Sequence, residues 1–598
     1  MKPGFVLPLA ALLAVPPLLA QTAAPSPAGY SAEQARAILD KTQEIRLAPD
    51  LSRLSAEERQ AVAKLLEVGT IFQRLYEEQR YGDMPRVRRL LAQAPAPLRP
   101  SLATLYRLFG GPIATNLENR REPFLAVPDA PPGKNVYPSD LGQPELDAFL
   151  AANPGARAGL MNPLSVVRRA DAASLAADIA TLRANPVLDV LHPRLRAGLE
   201  QRARRPDRRQ LYAVPYSVAY AREMLQAYSL LNEAAALLEA SDAELAGYLR
   251  NRARDLLSDD YESGDAAWVT GRFRHLNVQA GAYETYDDEL YGTRAFYSLS
   301  LLLVREEETA AIRRGMQGLQ AVEDALPYSR HKKIREDIPV GAYDVIADFG
   351  QSRGGNTASI LPNDALHARR YGRTILLRAN IMRSPEIFAG GNASWQAAVA
   401  PAFGADLTAD STFHRTLWHE VGHYLGVDRT ADGSDLDAAL GANGNLLEEM
   451  KADLVSLFAG EELRRRGYFT EATLRNHYAA GVFRTLQNVR PRREQPYQTM
   501  QLMTMNWFLE HQVLRFDPAS QRLSIDYGRY REAVTGLLRE VLALQDRGDG
   551  TAADAFIARW SRWDDALHGR IAANMRAQQR YRYRLFLYQA LDGRGARG

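Results

Sequence analysis

The chain has 598 residues, of which 46% are hydrophobic, 24% are charged and none is cysteine. Its 74 Lys and Arg residues nearly balance its 71 Asp and Glu residues, so the charge gives no reason to expect a nucleic-acid-binding protein. A chain without cysteine has no disulfide, no thiolate metal ligand and no cysteine nucleophile. Its length exceeds what one hydrophobic core usually holds, and we therefore expect two lobes.

The N-terminus has the three parts of a secretory signal. Lys2 precedes an apolar run from Phe5 to Ala20, and small residues follow in Thr22–Ala24. A Pro-Pro pair interrupts this run, which is too short to span a membrane. No later segment has the roughly 18 consecutive apolar residues that a spanning helix needs. We predict that residues 1–24 are a cleaved signal peptide, and that the mature protein is periplasmic or secreted.

Helical spacing of apolar residues dominates the first part of the chain, in residues 31–110 and again in residues 144–259. Ser55 and Glu58 have the spacing of a capping box at a helix start. The stretch 122–143 between the two helical parts is rich in Pro, Gly and Asn, which indicates an extended linker.

Strand-like runs follow at residues 268–283, 338–349 and 374–381. We expect a helix near residues 306–326 and a loop over residues 350–364 to separate them. From residue 411 onwards the pattern is almost entirely helical, apart from a hairpin at residues 516–526.

These patterns predict an α+β fold in which helix dominates. We expect two lobes with a cleft between them. A mixed lobe would cover residues 25–400, with N-terminal helices and a small β-sheet or barrel at about 265–385. A helical lobe over residues 401–598 would contain the metal-binding motif described next.

The segment Trp418-His-Glu-Val-Gly-His-Tyr424 contains the pattern HExxH. On a helix, residues four apart project from one face, so His419 and His423 can share one metal ion. Two imidazoles joined by a carboxylate, with one position left for water, favour zinc. Glu420 lies on the flank of that face, where it can take a proton from metal-bound water. We expect Gly422 to leave room beside the metal.

An isolated HExxH pattern also occurs by chance on surface helices, and the sequence downstream bears on this alternative. Residues 445–453 predict a second helix, on which Glu449 and Asp453 are again four apart. A glutamate there can complete the coordination, while a carboxylate one turn away accepts the other N–H of a metal-binding histidine. An ordinary charged helix face is the alternative, but the apolar neighbours of these acids favour a buried site.

The other histidines lack metal-ligand spacing. His414 lies about one turn before His419, and we expect it to have a polar or capping role. Surface positions or hydrogen-bonded core positions are expected for His192, His275, His331, His367, His477, His511 and His568.

Several segments of the chain resemble the dipeptidyl peptidase III family of zinc metallopeptidases, especially its bacterial branch of Nudix-associated or zinc-dependent hydrolases. The second metal motif, residues 448–453, is similar to the family's EExxxE/D pattern. The resemblance extends from about residue 110 to residue 509 in the family's order. Further similar segments are Asn135–Asp140, Leu257–Ser263, Gly281–Leu290 and Leu361–Asp364.

The resemblance implies one Zn²⁺ ion with Glu449 as its third ligand. It also implies that Glu448 and Asp453 are hydrogen-bond partners of the two histidines.

Three further roles follow from the resemblance alone. Tyr286 would be a catalytic residue that hydrogen-bonds the scissile carbonyl or its oxyanion. Glu284 would pair with the free amino terminus of the peptide, although an alternative is that Glu284 and the acids at 287–289 only cap a helix. Asn363 would hold the substrate backbone.

The chain departs from the family pattern in several places. The animal and yeast enzymes have HExxxH, one residue longer than the motif in this chain. Ile360 stands where the family's first substrate asparagine would fall. Tyr497 and Gln501 align with a downstream histidine and arginine of the family, and we expect Tyr497 to contact substrate by a hydrogen bond.

From these residues we predict a zinc metallopeptidase of short peptides, of the aminopeptidase-type dipeptidyl class, with Glu420 as general base. One alternative is a zinc hydrolase of a non-peptide amide or ester. Another is a non-catalytic peptide-binding relative, against which the intact Glu420 argues. We expect no nucleic-acid partner and no membrane span, and the sequence leaves the oligomeric state open.

Overall fold

The computed structural model describes residues 29–335 and 338–593. The predicted signal peptide, residues 1–24, lies outside the described residues. No helix in the described part of the chain is long and apolar enough to cross a membrane.

Helix dominates the described chain, as the sequence predicted. Its helices are α1 (Ala32–Leu39), α2 (Ala56–Arg80), α3 (Met84–Gln93), α4 (Arg99–Phe109), α5 (Gln143–Ala152), α6 (Arg157–Leu160), α7 (Ala172–Ala184), α8 (Pro186–Leu191), α9 (Leu195–Ala203), α10 (Tyr216–Ala219), α11 (Ala221–Leu238), α12 (Ala243–Ser258), α13 (Glu262–Thr270), α14 (Glu306–Met316), α15 (Leu319–Ala325), α16 (Ala365–Tyr371), α17 (Ala379–Met382), α18 (Pro385–Ala398), α19 (Ala409–Gly422), α20 (Leu436–Leu440), α21 (Gly444–Phe458), α22 (Gly460–Arg465), α23 (Glu471–Thr485), α24 (Pro496–Glu510), α25 (Tyr530–Arg547), α26 (Gly550–Trp560) and α27 (Arg570–Ala577). Its strands are β1 (Thr42–Leu47), β2 (Ile113–Thr115), β3 (Arg121–Pro123), β4 (Ser165–Ala170), β5 (Asp207–Pro215), β6 (Leu276–Glu284), β7 (Phe296–Val304), β8 (Val340–Gly350), β9 (Ala358–Leu361), β10 (Thr374–Arg378), β11 (Leu514–Asp517), β12 (Arg522–Ile525) and β13 (Tyr583–Tyr588).

The first lobe is built around a curled five-stranded sheet that forms a half-barrel. Its strand order is β6-β7-β8-β10-β9. Neighbouring strands are antiparallel except β8 and β10, which are parallel. Helix α2 packs across β7 and β8, and α11 packs on α2 and α12. Because every residue of β7 is buried, this strand has a nearly continuous apolar sequence instead of the alternation that marks a half-exposed strand.

The second lobe is a helical bundle with α21 at its centre. Helix α21 contacts α19, α24 and α25, and α19 also contacts α23. Most residues of α21 are buried, including its charged Glu449, Lys451 and Asp453. A helix that is buried on all sides needs partners for any charge it carries, and this requirement shapes the site described below.

Several local predictions are confirmed. Ser55 caps α2 in a reciprocal capping box with Glu58, and β11 and β12 form the predicted hairpin. Other elements differ. Strand β1 interrupts the first stretch that we predicted as helix. The region predicted as strand from Trp268 begins as helix, since Trp268 lies in α13, where its Nε1 donates to Asn277 Oδ1 of β6 at 2.8 Å.

Two contacts cross the lobe boundary that we predict near residue 400, and the boundary itself stays a prediction. Ile312 and Met316 of α14 already pack in the second core. Strand β13, near the end of the chain, pairs in parallel with β1 and returns to the first lobe. The expected loop over residues 350–364 contains β9, an edge strand of the half-barrel.

The approach of α2 to the sheet depends on Gly69. A Cβ atom at this position would lie 2.7 Å from Cζ of the buried Phe349 ring. We expect Gly69→Ala to lower the free energy of unfolding by about 1–3 kcal/mol, because the ring or the helix must shift. Urea denaturation measures this change.

Gly247→Ala is the matched control, since it also lies in a helix but its Cβ would meet no atom within 4 Å. It should raise the free energy of unfolding by about 0.4–1 kcal/mol, because alanine restricts the unfolded chain. Equal effects of the two substitutions would contradict this account of the α2–sheet contact.

Candidate metal centre

Helix α19 carries the HExxH residues in its last turn. It starts at a capping box between Thr408 and Ser411, and His423 at its end keeps right-handed helical backbone angles. The imidazoles of His419 and His423 therefore project from one face, with ring centroids 4.9 Å apart. This is the arrangement that the four-residue spacing predicts.

Helix α21 brings the acids of the second motif to this face. Glu449 Oε2 lies 3.2 Å from His419 Nε2 and 3.7 Å from His423 Nε2. One ligand atom from each of these three residues falls within 4.8 Å of the others. The structure thus brings together the three residues that we predict as metal ligands.

Gly422 has a role different from the one expected from the sequence. A Cβ atom there would lie 2.9 Å from Ala452 Cα, so the space beside Gly422 is filled by the backbone of α21. The glycine is needed because α19 and α21 cross at this point.

The outer nitrogen of each histidine has a carboxylate partner. His419 Nδ1 lies 2.6 Å from Asp453 Oδ1, and His423 Nδ1 lies 3.0 Å from Glu448 Oε1. A carboxylate that accepts a hydrogen bond from Nδ1–H keeps the proton on Nδ1, which leaves the Nε2 lone pair free to bind a metal. Both Nε2 atoms face Glu449, as a shared cation requires.

Asp453 is held by two arginines that sequence reasoning did not identify. Arg484 Nε donates to Asp453 Oδ2 at 2.9 Å, and Arg415 forms an ion pair with Oδ1. Burial opposes ionisation of Asp453, but the charges of Arg415, Arg484 and His419 bring its pKa well below the usual value. Arg415 lies one turn before His419 on α19, so its four-residue spacing could have identified it from the sequence. Arg484 lies on α23 and has no spacing relation to the metal motifs.

Glu448 has its own set of partners. Lys451 Nζ lies 2.8 Å from Glu448 Oε1, and Gln545 Nε2 of α25 donates to Oε2 at 3.3 Å. Burial again opposes ionisation, but Lys451 and His423 lower the pKa of Glu448 to about 2. Both acids that orient the histidines are therefore ionised at neutral pH.

The surroundings of the two Glu449 carboxylate oxygens show whether a metal would fit this site. Tyr497 donates to its Oε1 at 2.8 Å, whereas its Oε2 is buried without a hydrogen-bond partner among the described residues. An unpartnered buried carboxylate oxygen is costly. This oxygen faces two imidazole nitrogens, and the set of two nitrogens and one oxygen suits zinc.

The residues predicted to contact substrate lie on the first lobe, apart from Tyr497. Glu284 ends β6, and Tyr286 follows it with 81% of its side chain exposed. Asn363 Nδ2 lies 3.4 Å from Tyr283 O, so Asn363 is next to Glu284. Tyr283 is anchored by a hydrogen bond from its hydroxyl to Asp265 Oδ1 at 2.8 Å.

The metal helix touches this part of the first lobe. Strand β9, just before Asn363, contacts α19. Tyr424, which follows His423, lies with its hydroxyl 3.5 Å from Arg373 O, and Arg373 Nε donates to Pro362 O at 3.3 Å. A short chain of contacts thus links the metal ligands to the Asn363 segment.

Two other residues that differ from the family pattern, Gln501 and Ile360, make local contacts. Gln501 Oε1 accepts a hydrogen bond from Gln487 Nε2 at 2.8 Å. Ile360 lies in β9 opposite Ile375. His414 packs against Phe413, Tyr468 and Phe469, and burial lowers its pKa to about 4.

Comparisons with known proteins identify the fold. No protein-family model matches the chain. A curated relative, Nudix hydrolase 3 of Arabidopsis thaliana, is 25% identical over 449 residues, which are 72% of this chain and 54% of the relative. The chain therefore spans about half the length of the curated relative that it matches.

Two solved structures are similar over nearly their whole length. The structure of DPP III from Caldithrix abyssi has a TM-score of 0.78 and 21% identity, with 93% of this chain and 98% of that chain covered. Dipeptidyl-peptidase III from Corallococcus sp. strain EGB has a TM-score of 0.71 and 22% identity, with 95% and 100% covered. The chain has the two-lobed fold of dipeptidyl peptidase III.

Proposed function

We propose that the chain is a zinc-dependent peptidase that removes dipeptides from the free amino end of short peptides. The observation that carries the proposal is the set of buried His419 and Glu449 with the half-buried His423, and with a carboxylate behind each histidine. Its occurrence in a fold shared with dipeptidyl peptidase III supports a peptidase. The N-terminal signal motif supports the further proposal that the protein is exported.

His419, His423 and Glu449 would hold one zinc ion. A zinc ion there would act as a Lewis acid towards the scissile carbonyl and would make water more acidic. The chain's own contribution to the metal is orientation, because Asp453 and Glu448 fix the rings and raise the basicity of the ligating nitrogens.

Glu420 would act as the general base. Its carboxylate is half-buried, and it makes no hydrogen bond or ion pair with any residue that the structure describes. Burial raises the pKa of Tyr424 to about 12; the charge of Arg373 opposes this shift and the charge of Glu420 adds to it. A carboxylate without a fixed partner is free to take a proton from the attacking water and return it to the leaving amine.

The first lobe would bind and orient the peptide. Glu284 would pair with the peptide ammonium, and the distance from Glu284 to the metal ligands would set the number of residues released. Tyr286 would donate a hydrogen bond to the negative charge that develops on the carbonyl oxygen. Asn363 would hold the peptide backbone.

Zinc content should depend on Glu449 and less on Glu448. We expect Glu449→Gln to lose most bound zinc, because an amide is a poor replacement for a ligating carboxylate. Glu448→Gln should weaken zinc binding about 10–100-fold, the usual effect of removing a histidine partner. Elemental analysis and competition with a chelator measure both.

The exposed Glu510→Gln is the matched control and should bind zinc like the unaltered protein. Full zinc occupancy in Glu449→Gln would mean that another residue is the third ligand.

Turnover should depend on Glu420 while zinc binding does not. We expect Glu420→Gln to keep its zinc and to lower kcat for peptide hydrolysis about 10²–10⁴-fold, as expected when a general base is removed. Unchanged kcat with zinc bound would exclude Glu420 as the base.

The cleavage position is tested by mass spectrometry of a peptide library. Dipeptides should leave the amino end, and the same peptides with acetylated amino ends should resist hydrolysis, because the ammonium is lost. Cleavage at internal bonds or from the carboxyl end would contradict dipeptidyl release. Hydrolysis of small amides or esters without peptide cleavage would favour the alternative of a non-peptide hydrolase. Ile360 and Gln501 support that alternative, because they differ from the family's residues at these positions.

A further inference from the structure

A cavity of about 690 Å³ lies beside the half-barrel, lined by residues of α13, β6, α14 and the starts of β8 and β10. Trp268 and Tyr343 on its wall belong to the core of the first lobe. Val340 of β8 and the buried face of α14 pack in a second hydrophobic cluster, which continues into the helical lobe. The volume is in the range of small-molecule sites. None of the proposed metal or substrate residues lines this cavity.

Three arginines at this cavity have no partner. Arg274, Arg313 and Arg314 line it and are exposed, and their guanidinium groups make no hydrogen bond or ion pair with the described residues. Two of them are adjacent on α14. Three uncompensated guanidinium groups around one concave surface repel each other and attract an anion.

The carboxylate in the cavity lining already has basic partners. Glu306 is the one carboxylate among the described residues that line the cavity. It pairs with Arg53, with Nη1 to Oε1 at 3.3 Å, and lies 3.7 Å from His275 Nε2. Within the described lining, no carboxylate pairs with any of the three arginines.

The cavity wall also has an unsatisfied buried hydroxyl. Thr374 is 6% exposed, lines the cavity, and its Oγ1 has no hydrogen-bond partner in the described chain. Next to it, Tyr343 receives a hydrogen bond from Asn277 Nδ2 at 3.1 Å. Burial raises the pKa of Tyr343, while the Asn277 hydrogen bond and the nearby charge of Arg313 oppose this. The phenol therefore stays protonated and can donate to a ligand.

We propose that this cavity is a second binding site, for a small organic polyanion held by Arg274, Arg313 and Arg314 at the mouth and by the Thr374 hydroxyl at the wall. Guanidinium groups bind carboxylates and phosphates in the same forked geometry, so the shared chemistry is that of a multiply charged anion. The proposal is independent of the proposed peptidase activity.

The test is isothermal titration of the full chain with citrate and with pyrophosphate at constant ionic strength. We expect at least one probe to bind with a dissociation constant below about 1 mM, an ordinary affinity for a small ligand. The probe that binds distinguishes a carboxylate ligand from a phosphate ligand. Arg313→Ala/Arg314→Ala should weaken binding about tenfold or more, because two charge-assisted contacts are lost.

The matched control is Arg88→Ala/Arg89→Ala, which removes two adjacent, exposed arginines from α3 and should leave the affinity unchanged. Thr374→Val keeps the side-chain shape and should weaken binding several-fold; it also decides the question if the double variant does not fold. Hydrogen exchange should slow at residues 268–275 and 306–316 when the probe binds.

Failure of both probes to bind would overturn the proposal. Equal affinity in the unaltered protein, both double variants and Thr374→Val would overturn it too, because such binding would be non-specific.

Discussion

The close crossing of α19 and α21 is the contact on which the rest of the site depends. It is possible because Gly422 has no side chain where Ala452 passes. The histidine face of α19 therefore meets the acidic face of α21. Each imidazole has one carboxylate beside Nδ1 and another beside Nε2. A larger residue at position 422 would separate the helices and would disturb every one of these contacts together.

The crossing places several charges in a buried position, and their balance explains how the bundle tolerates them. Lys451 pairs with Glu448, and Arg415 and Arg484 both pair with Asp453. Among the described residues, Glu449 forms no ion pair with a Lys or Arg side chain, and its partners are the two histidines. The uncompensated negative charge therefore sits at the point where two imidazole lone pairs converge, which is where a cation stabilises the assembly most.

The sequence predicts the parts of the site that are local in the chain. A spacing of four identifies the shared face of His419 and His423, and it does the same for Glu449 and Asp453, because a helix fixes which residues are neighbours. Arg484 and Gln545 come from other helices and have no spacing relation to the motif. Strand β7 is also hard to predict, since a strand buried on both faces has the same apolar run as a buried helix. The pairing of β13 with β1 joins residues more than 500 apart, beyond any local pattern.

The predicted site is divided between the two lobes, with metal binding on one lobe and most of the substrate binding on the other. The predicted metal ligands and the carboxylates behind them lie on the helix pair α19 and α21, whereas the predicted substrate contacts Glu284, Tyr286 and Asn363 lie on the half-barrel and at its edge. Contacts of Tyr424 with Arg373, and of Arg373 with Pro362, connect the two halves. Thr374, the residue after Arg373, lines the cavity beside the half-barrel. The same short stretch of chain, residues 362–374, therefore borders the cavity at one end and the Asn363 segment at the other.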